Sequence, residues 1–287
     1  YLRKRGGELS KSRKVQLEKK IMIFLSSGVF IFSGLYASNV QAAPVFSSGS
    51  ASDSTVAGVR NKAANENASA VGYGNNAGGV ASSAFGFSNV AKVDYASAFG
   101  YSNEASGLAS SAVGFRNKAA SENASAVGYG NNANALAASA VGYNNTAGGV
   151  GSSTIGYNNT ATNENASAFG YGNTAGGLAS SAFGFSNTAS GDNANAFGYN
   201  NIASGSKSNV FGTGNTVSGS SSTAVGTANE VAAENSTAIG NNNTISSSAE
   251  NSAALGNNIS ISLKDSVALG NNSTATAINS VTGNSSY

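Results

Sequence analysis

The chain of 287 residues contains no Cys, no His and no Trp, and it has only one Pro and one Met. Without His or Cys, the sequence lacks the ligands of common zinc, haem and iron–sulfur sites, and it has no disulfides and no nucleophilic triads. Charged residues make up 10% of the chain, against about 25% in an ordinary globular domain. These absences exclude most enzyme classes and predict a protein that is not an enzyme and has no cofactor.

Glycine is abundant, with 37 residues, yet the chain is 40% hydrophobic and its net charge is only +2. Disorder requires low hydrophobicity or high net charge, so we expect a folded chain. The charge is unevenly placed, because residues 1–43 hold eight basic and two acidic side chains. The remaining residues hold seven basic and eleven acidic side chains, a net charge of −4. Outside the first block there is no basic patch that predicts nucleic-acid binding.

The first block has the organisation of a secretory signal peptide. A basic segment precedes an apolar run at Ile21–Tyr36, and the small residues of Val40–Ala42 form a cleavage site. A transmembrane anchor is the competing interpretation, but the run is interrupted by Ser and Gly and is shorter than the ~20 residues that span a bilayer. We therefore predict an extended signal peptide over residues 1–42 and a short leader over 43–53.

A repeat of fourteen residues begins after this leader. Its marker is a glycine that recurs every 14 residues from Gly58 to Gly240, followed by Gly256 after a step of 16 and by Gly270 after another 14. We number each unit from this glycine. Position −1 is Val, Phe, Ile or Leu in every unit but the first, which has Ala57, and position −2 is mostly Ala. Position +3 is Asn from Asn61 to Asn243, and position +5 is Ala, Val or Ile.

Sixteen such units predict a parallel β-solenoid. Fourteen residues are too few for a helical repeat or a propeller blade, but they suffice for two strands of about five residues and two tight turns. Stacked at ~4.8 Å, sixteen coils form a rod about 75 Å long. Proline is absent after Pro44, as expected where each strand donates hydrogen bonds to its neighbours. Asn at +3 is expected in a turn with positive φ, and its stacked copies in an amide ladder.

The period of two along a strand places positions −2 and 0 on one face and −1 and +1 on the other. The small residues fit a thin interior, which would leave the bulky −1 row outside as an apolar stripe that self-association would bury. The opposite assignment, with the bulky row inside, stays open because periodicity does not choose between them.

Position +1 carries an aromatic residue in ten successive units. Since the same position is Thr or Asn in the later units, we expect these rings to be partly exposed. They are candidates for a contact ladder that binds host protein or glycan, and the competing interpretation is that they only stack along the rod or at a subunit seam. The candidate residues are Tyr73, Phe87, Tyr101, Phe115, Tyr129, Tyr143, Tyr157, Tyr171, Phe185 and Tyr199.

Three other motifs are accounted for by the repeat. The segment Gly72–Ala77 matches a loose dinucleotide-binding fingerprint, but no helix is expected after it. The segment Ser204–Lys207 spells the S-x-x-K motif of acyl-transfer enzymes, again without a helix. Glu66, Glu122 and Glu164 share one repeat position, where solvated turn residues are expected rather than a metal site.

The segments Asn65–Gly72 and Asp265–Asn272, recurring in phase over about Ser54–Tyr287, resemble the head repeats of the YadA-like trimeric autotransporter adhesins. The resemblance implies an all-β, left-handed parallel β-roll of about sixteen coils over residues 54–283 that assembles as a homotrimer. It also implies a bacterial outer-membrane surface location and attachment to host matrix, cells or other bacteria.

The family's neck, coiled-coil stalk and membrane β-barrel have no counterpart after Gly270. We therefore expect an N-terminal fragment in which residues 284–287 begin a neck or a further head, and in which membrane attachment depends on a missing C-terminal anchor. The alternative is a secreted structural or ice-binding β-solenoid without an adhesive role.

Overall fold

The fourteen-residue repeat forms one coil of a β-solenoid in the computed structural model, which describes residues 46–276. Each coil has a five-residue strand and a two-residue strand, and the described residues contain no helix. The second strand is thus shorter than the predicted five residues.

A short strand at the N-terminal end, β1, spans Phe46–Ser48. The long strands are β2 Thr55–Val59, β4 Ser69–Tyr73, β6 Ser83–Phe87, β8 Ser97–Tyr101, β10 Ser111–Phe115, β12 Ser125–Tyr129, β14 Ser139–Tyr143, β16 Ser153–Tyr157, β18 Ser167–Tyr171, β20 Ser181–Phe185, β22 Asn195–Tyr199, β24 Asn209–Thr213, β26 Thr223–Thr227, β28 Thr237–Asn241, β30 Ala253–Asn257 and β32 Val267–Asn271. The short strands are β3 Lys62–Ala63, β5 Asn76–Ala77, β7 Val90–Ala91, β9 Glu104–Ala105, β11 Lys118–Ala119, β13 Asn132–Ala133, β15 Thr146–Ala147, β17 Thr160–Ala161, β19 Thr174–Ala175, β21 Thr188–Ala189, β23 Ile202–Ala203, β25 Thr216–Val217, β27 Glu230–Val231, β29 Thr244–Ile245, β31 Ser260–Ile261 and β33 Thr274–Ala275.

Successive coils pair strand on strand, in parallel and in register. In the pair β12–β14, Ala126 lies opposite Ala140 and Gly128 opposite Gly142, so each residue pairs with its copy one unit later. The long strands form one sheet and the short strands a second. The 16-residue step leaves this register intact, because its two extra residues lengthen only the segment 246–252 between β29 and β30. The predicted solenoid is confirmed.

The interior of the rod is built from small side chains. Ala126 at position −2, Ala133 at +5 and Ala124 at −4 are each 0% exposed. Val127 at position −1 is 37% exposed, and so the bulky row lies outside. Of the two assignments that the sequence left open, the one with the bulky row inside is wrong.

A ladder of asparagine side chains fills the turn beside β12 and its neighbours. The Asn131 side-chain amide donates to Asn117 Oδ1 at 3.0 Å and to the carbonyls of Val127 at 2.8 Å and Gly142 at 2.6 Å. The backbone N–H of Asn131 also donates to Asn117 Oδ1, at 2.9 Å. Asn131 is 1% exposed, and a buried amide needs such partners. The predicted ladder is confirmed.

The predicted positive φ at position +3 is wrong. The left-handed residue is the one before the asparagine, with φ of 51° at Asn144 and 64° at Gly130. A second left-handed residue lies at position −5, for example Asn123 with φ of 56°. Each coil therefore turns at two points with positive φ, a conformation that Gly and Asn adopt at low cost.

The marker glycine has no room for a side chain. Gly142 has φ of 119°, and a Cβ there would overlap the carbonyl oxygen of Gly156 and lie 3.1 Å from Asn145 Nδ2. A side chain there would point along the rod, toward the backbone of the next coil and the asparagine ladder. The position is only half-buried, unlike the alanine at −2. The spacing of the glycines is set by this contact between coils.

The N-terminal end of the rod is closed by β1, which lies inside the predicted leader 43–53. It pairs antiparallel with β2, and Phe46 lies opposite Ala57. The predicted signal peptide at 1–42 and the predicted terminal segment at 284–287 lie outside the described residues.

Deletion of a whole coil tests the repeat as the physical unit. Removing residues 119–132 joins Lys118 to Ala133 and keeps every row in register, so we expect a small loss of stability, about one unit plus one interface of a sixteen-coil sum. Removing only residues 119–125 shifts strand residues into a turn and exchanges the two faces. Thermal melting followed by circular dichroism should stay cooperative after the longer deletion and lose cooperativity after the shorter one. Equal tolerance of both would contradict the stacked solenoid.

Candidate interaction surface

The ten candidate aromatic residues form one row on the outer face of the long-strand sheet. The register of the parallel strands places each ring directly above the last, as in Tyr129 opposite Tyr143. Nine of the ten are between 37% and 53% exposed, and Phe115 is half-buried. The predicted partial exposure of the ladder is confirmed.

The rings stack along the rod without a break. From Tyr73 to Tyr199, consecutive ring centroids are 4.7 to 5.2 Å apart, with interplanar angles of 2 to 13°. This spacing follows the strand separation of ~4.8 Å, and offset stacking of this kind is favourable. The rings therefore stack along the rod, which both interpretations of the ladder allow. The stacked rings are still partly exposed to solvent.

Position −1 forms a second outer row beside the first. It contains two further aromatic stacks, Phe85 on Phe99 and Phe169 through Phe211, with centroids 4.7 to 5.3 Å apart. Between these stacks the row continues with Val and Ile, such as Val113 at 37% and Ile155 at 45% exposed. We call the two rows together the outer stripe. The sequence marked position −1 as bulky, but not that its phenylalanines would stack.

Charge is nearly absent from this stripe. Arg60 donates from Nη1 to the Tyr73 hydroxyl at 2.7 Å, and the Arg116 guanidinium lies 5.1 Å from the centre of the Phe115 ring. From Ser125 to Tyr199, positions −3 to +2 of every coil are uncharged. The stripe therefore presents apolar and aromatic surface bordered by Ser, Asn and Gly, which suits van der Waals contact more than salt bridges.

A different outer row runs through the turn before each long strand. Glu66, Glu122 and Glu164 lie there and are exposed, and residues 46–276 contain no group of three metal-ligating side chains. The structure also places apolar residues in this row that the sequence analysis missed. They are exposed by 43 to 46%: Leu108, Leu136, Val150 and Leu178. These residues follow the same fourteen-residue spacing. The sequence analysis did not reveal the row because acidic residues alternate with them at this repeat position.

The two enzyme-like motifs lie in ordinary turns. The segment 72–77 comprises the last two residues of β4, a two-residue turn and the short strand β5, and no helix follows it. The Ser204 hydroxyl donates to the Val217 carbonyl of the next coil at 3.4 Å. Neither motif has the strand-to-helix geometry that its chemistry requires. Residues 46–276 also contain no helix that is long and apolar enough to cross a membrane.

Sixteen stacked coils with an exposed apolar stripe define the described part as a rod-like parallel β-solenoid. The YadA head domain repeat model matches residues 77–103, 105–131, 120–145, 147–173, 175–201, 218–243 and 264–281. These matches cover more than half of the chain, and the chain belongs to this family of adhesin-type head domains. No curated protein sequence matches the chain.

Proposed function

We propose that the chain is the head of a trimeric surface adhesin, which attaches a bacterium to host extracellular matrix, to host cells or to other bacteria. The observation that carries the proposal is the outer stripe, which is continuous along the rod and exposed. Soluble monomers rarely expose contiguous apolar patches of more than a few hundred Å². The family supports the proposal, since its members are adhesin heads.

The mechanism is multivalent binding. Each rung offers nearly the same short sequence, so a repetitive partner meets many equivalent contacts at a spacing of ~4.8 Å. Contacts that are weak one by one give high avidity when several form together. The partner is a matrix protein, a cell-surface protein or a glycan, and the stacked aromatic row from Tyr73 to Tyr199 is its contact ladder.

Self-association accounts for the rest of the outer stripe. Three copies side by side place equal coils at equal heights, so the Val, Ile and Phe side chains of position −1 meet their own copies. Burying the part of one such side chain that is still exposed contributes less than full burial, which gives about 1.5–3 kcal/mol, and fifteen of the sixteen coils repeat the gain. The +1 ladder then borders the seam and keeps its ring edges accessible.

We infer a location on the bacterial outer surface. The apolar run at Ile21–Tyr36 and the site ending at Ala42 have the form of a signal peptide, which supports export. Membrane attachment then falls to a C-terminal anchor of the kind that the family resemblance implies.

A secreted structural or ice-binding solenoid is the alternative. Ordered water is favoured by a regular flat row of threonines. Position +4 carries four in succession, Thr146, Thr160, Thr174 and Thr188, but Ile202 and Glu230 interrupt the row further along. The adhesin proposal therefore has the better support.

Association of the purified body, residues 43–287, tests the seam. We expect a concentration-dependent trimer, because the exposed −1 row is apolar and association would bury it. Light scattering coupled to size exclusion at several concentrations gives the mass. A monomer at every concentration, with native β circular dichroism, would contradict the seam.

Adhesion of intact cells that display the chain tests the function. We expect binding to surfaces coated with collagen, fibronectin or laminin to fall as coils are removed, because avidity depends on the number of rungs. Binding should survive EDTA, since aromatic contacts need no cation. Abrupt loss of binding on chelation, or binding that is independent of rod length, would contradict the mechanism.

Variants displayed on the same cells test whether the aromatic ladder at position +1 contributes to adhesion independently of the seam at position −1. Replacing Tyr129, Tyr143 and Tyr157 with Ser should weaken adhesion, whereas replacing the same three with Phe retains the stacked rings and serves as the matched control. Unchanged adhesion of the Ser variant with an unchanged fold would leave the ladder only its stacking role.

A further inference from the structure

The first long strand, β2, would be a free sheet edge if nothing covered it. It spans Thr55–Val59 and contains no charged residue. Edge strands that are uncharged and five residues long tend to pair with strands of other chains. The neighbouring edge, β3, is already protected, because it has only two residues and one of them is the exposed Lys62. The hazard therefore lies at β2.

Residues 46–54 close this end, and we call them the end cap. β1 pairs with β2 through Phe46–Ala57, Ser47–Val56 and Ser48–Thr55, and it is antiparallel, in contrast to the parallel pairing of successive coils. Beyond β1 the chain crosses the core, and the backbone N–H and the hydroxyl of Ser50 donate to the Ala63 carbonyl at 3.2 and 3.0 Å.

Two residues are adapted to the end cap. Gly49 has no space for a side chain, since a Cβ there would lie 2.7 Å from the Ala63 carbonyl oxygen and would overlap the Ser54 hydroxyl. Ala57 is the one small residue at position −1, which is Val, Phe, Ile or Leu in every other unit. Ala57 is 2% exposed, whereas Val127 at the same repeat position is 37% exposed. The sequence departs from the repeat where the cap needs a small residue.

We propose that the end cap keeps a strand-addition site closed, and that the natural occupant of the uncovered site is a second copy of this chain, joined head to head. The antiparallel fit of β1 indicates which geometry the edge accepts. Two β2 strands related by a two-fold axis at Ala57 form the same antiparallel pair, with Thr55 of one opposite Val59 of the other. No like charges meet in that pair, because the strand carries none.

Rod length in the full chain tests the proposal. The double variant Ser47→Pro, Gly49→Val disrupts β1 and the crossing without touching β2. In electron micrographs we expect rods of twice the parental length, about 150 Å in place of about 75 Å. Side-by-side association changes thickness and not length, so failure of the trimer proposal would be seen separately.

The control is Gly148→Val, the same change at a glycine whose Cβ would meet nothing closer than 3.7 Å. We expect rods of parental length from it. Parental length in the double variant, with native β circular dichroism, would overturn the proposal. Loss of the β signal in both the double variant and Gly49→Val alone would also overturn it, because the segment would then be needed for folding and not for covering an edge.

A cysteine identifies the contact. The chain has no Cys, so Ala57→Cys introduces a single thiol, and opposite residues of an antiparallel pair are close enough for a disulfide. Disulfide-linked dimers that form rods of twice the parental length should rise at least several-fold when Ser47→Pro and Gly49→Val are introduced into the same chain, whereas Val127→Cys should give the same yield with or without the cap. A disulfide across the side-by-side seam would leave the rod length unchanged. Equal yields from Ala57→Cys in both backgrounds would rule out head-to-head pairing at β2.

Discussion

The stacking of each residue on its own copy, fourteen positions along the chain, is the constraint on which the rest of the structure depends. Hydrogen bonds between paired strands set the rise from one coil to the next. The asparagine ladder fixes the turn between the long strand and the short strand of each coil. Asn145 Oδ1 accepts a hydrogen bond from the backbone N–H of Asn159 at 2.9 Å and another from the side-chain amide of Asn159 at 3.0 Å. The side-chain amide of Asn145 donates in turn to Asn131 Oδ1. Because these groups are buried, any slip between coils leaves polar atoms unpaired.

This constraint leads to an interior of alanine and hence to an outer stripe. Coils that close over alanine leave no space for a large side chain inside, and so Val, Ile and Phe of position −1 lie on the surface. Towards the C-terminal end the interior holds larger side chains, with Val217, Val231 and Ile245 buried in the +5 row that elsewhere holds mostly alanine. The described rod therefore presents its large apolar side chains on its outer face, where we propose that partners bind.

The sequence predicted the coil, the long strand, the buried small row and the amide ladder, because each recurs along the array, the ladder asparagine in fourteen units, and local rules act on every copy. It misplaced the left-handed residue, because Asn occurs at both +2 and +3, as in Asn144 and Asn145, and composition does not say which of them turns. The Leu and Val residues that alternate with acids were missed since no single type recurs. The β1 strand was missed because Phe46 lies outside the repeat.

The most direct test of the account is the stability of the asparagine ladder against that of its exposed neighbour. Asn145→Ala removes a buried amide that bonds to both adjacent coils, and we expect it to lower the free energy of unfolding by about 2–3 kcal/mol or more. Asn144→Gly keeps the positive φ at an exposed turn and should change that free energy by less than about 1 kcal/mol. Urea titration of residues 43–287 measures both. Similar losses for the two variants would contradict the claim that the buried ladder holds the coils in register.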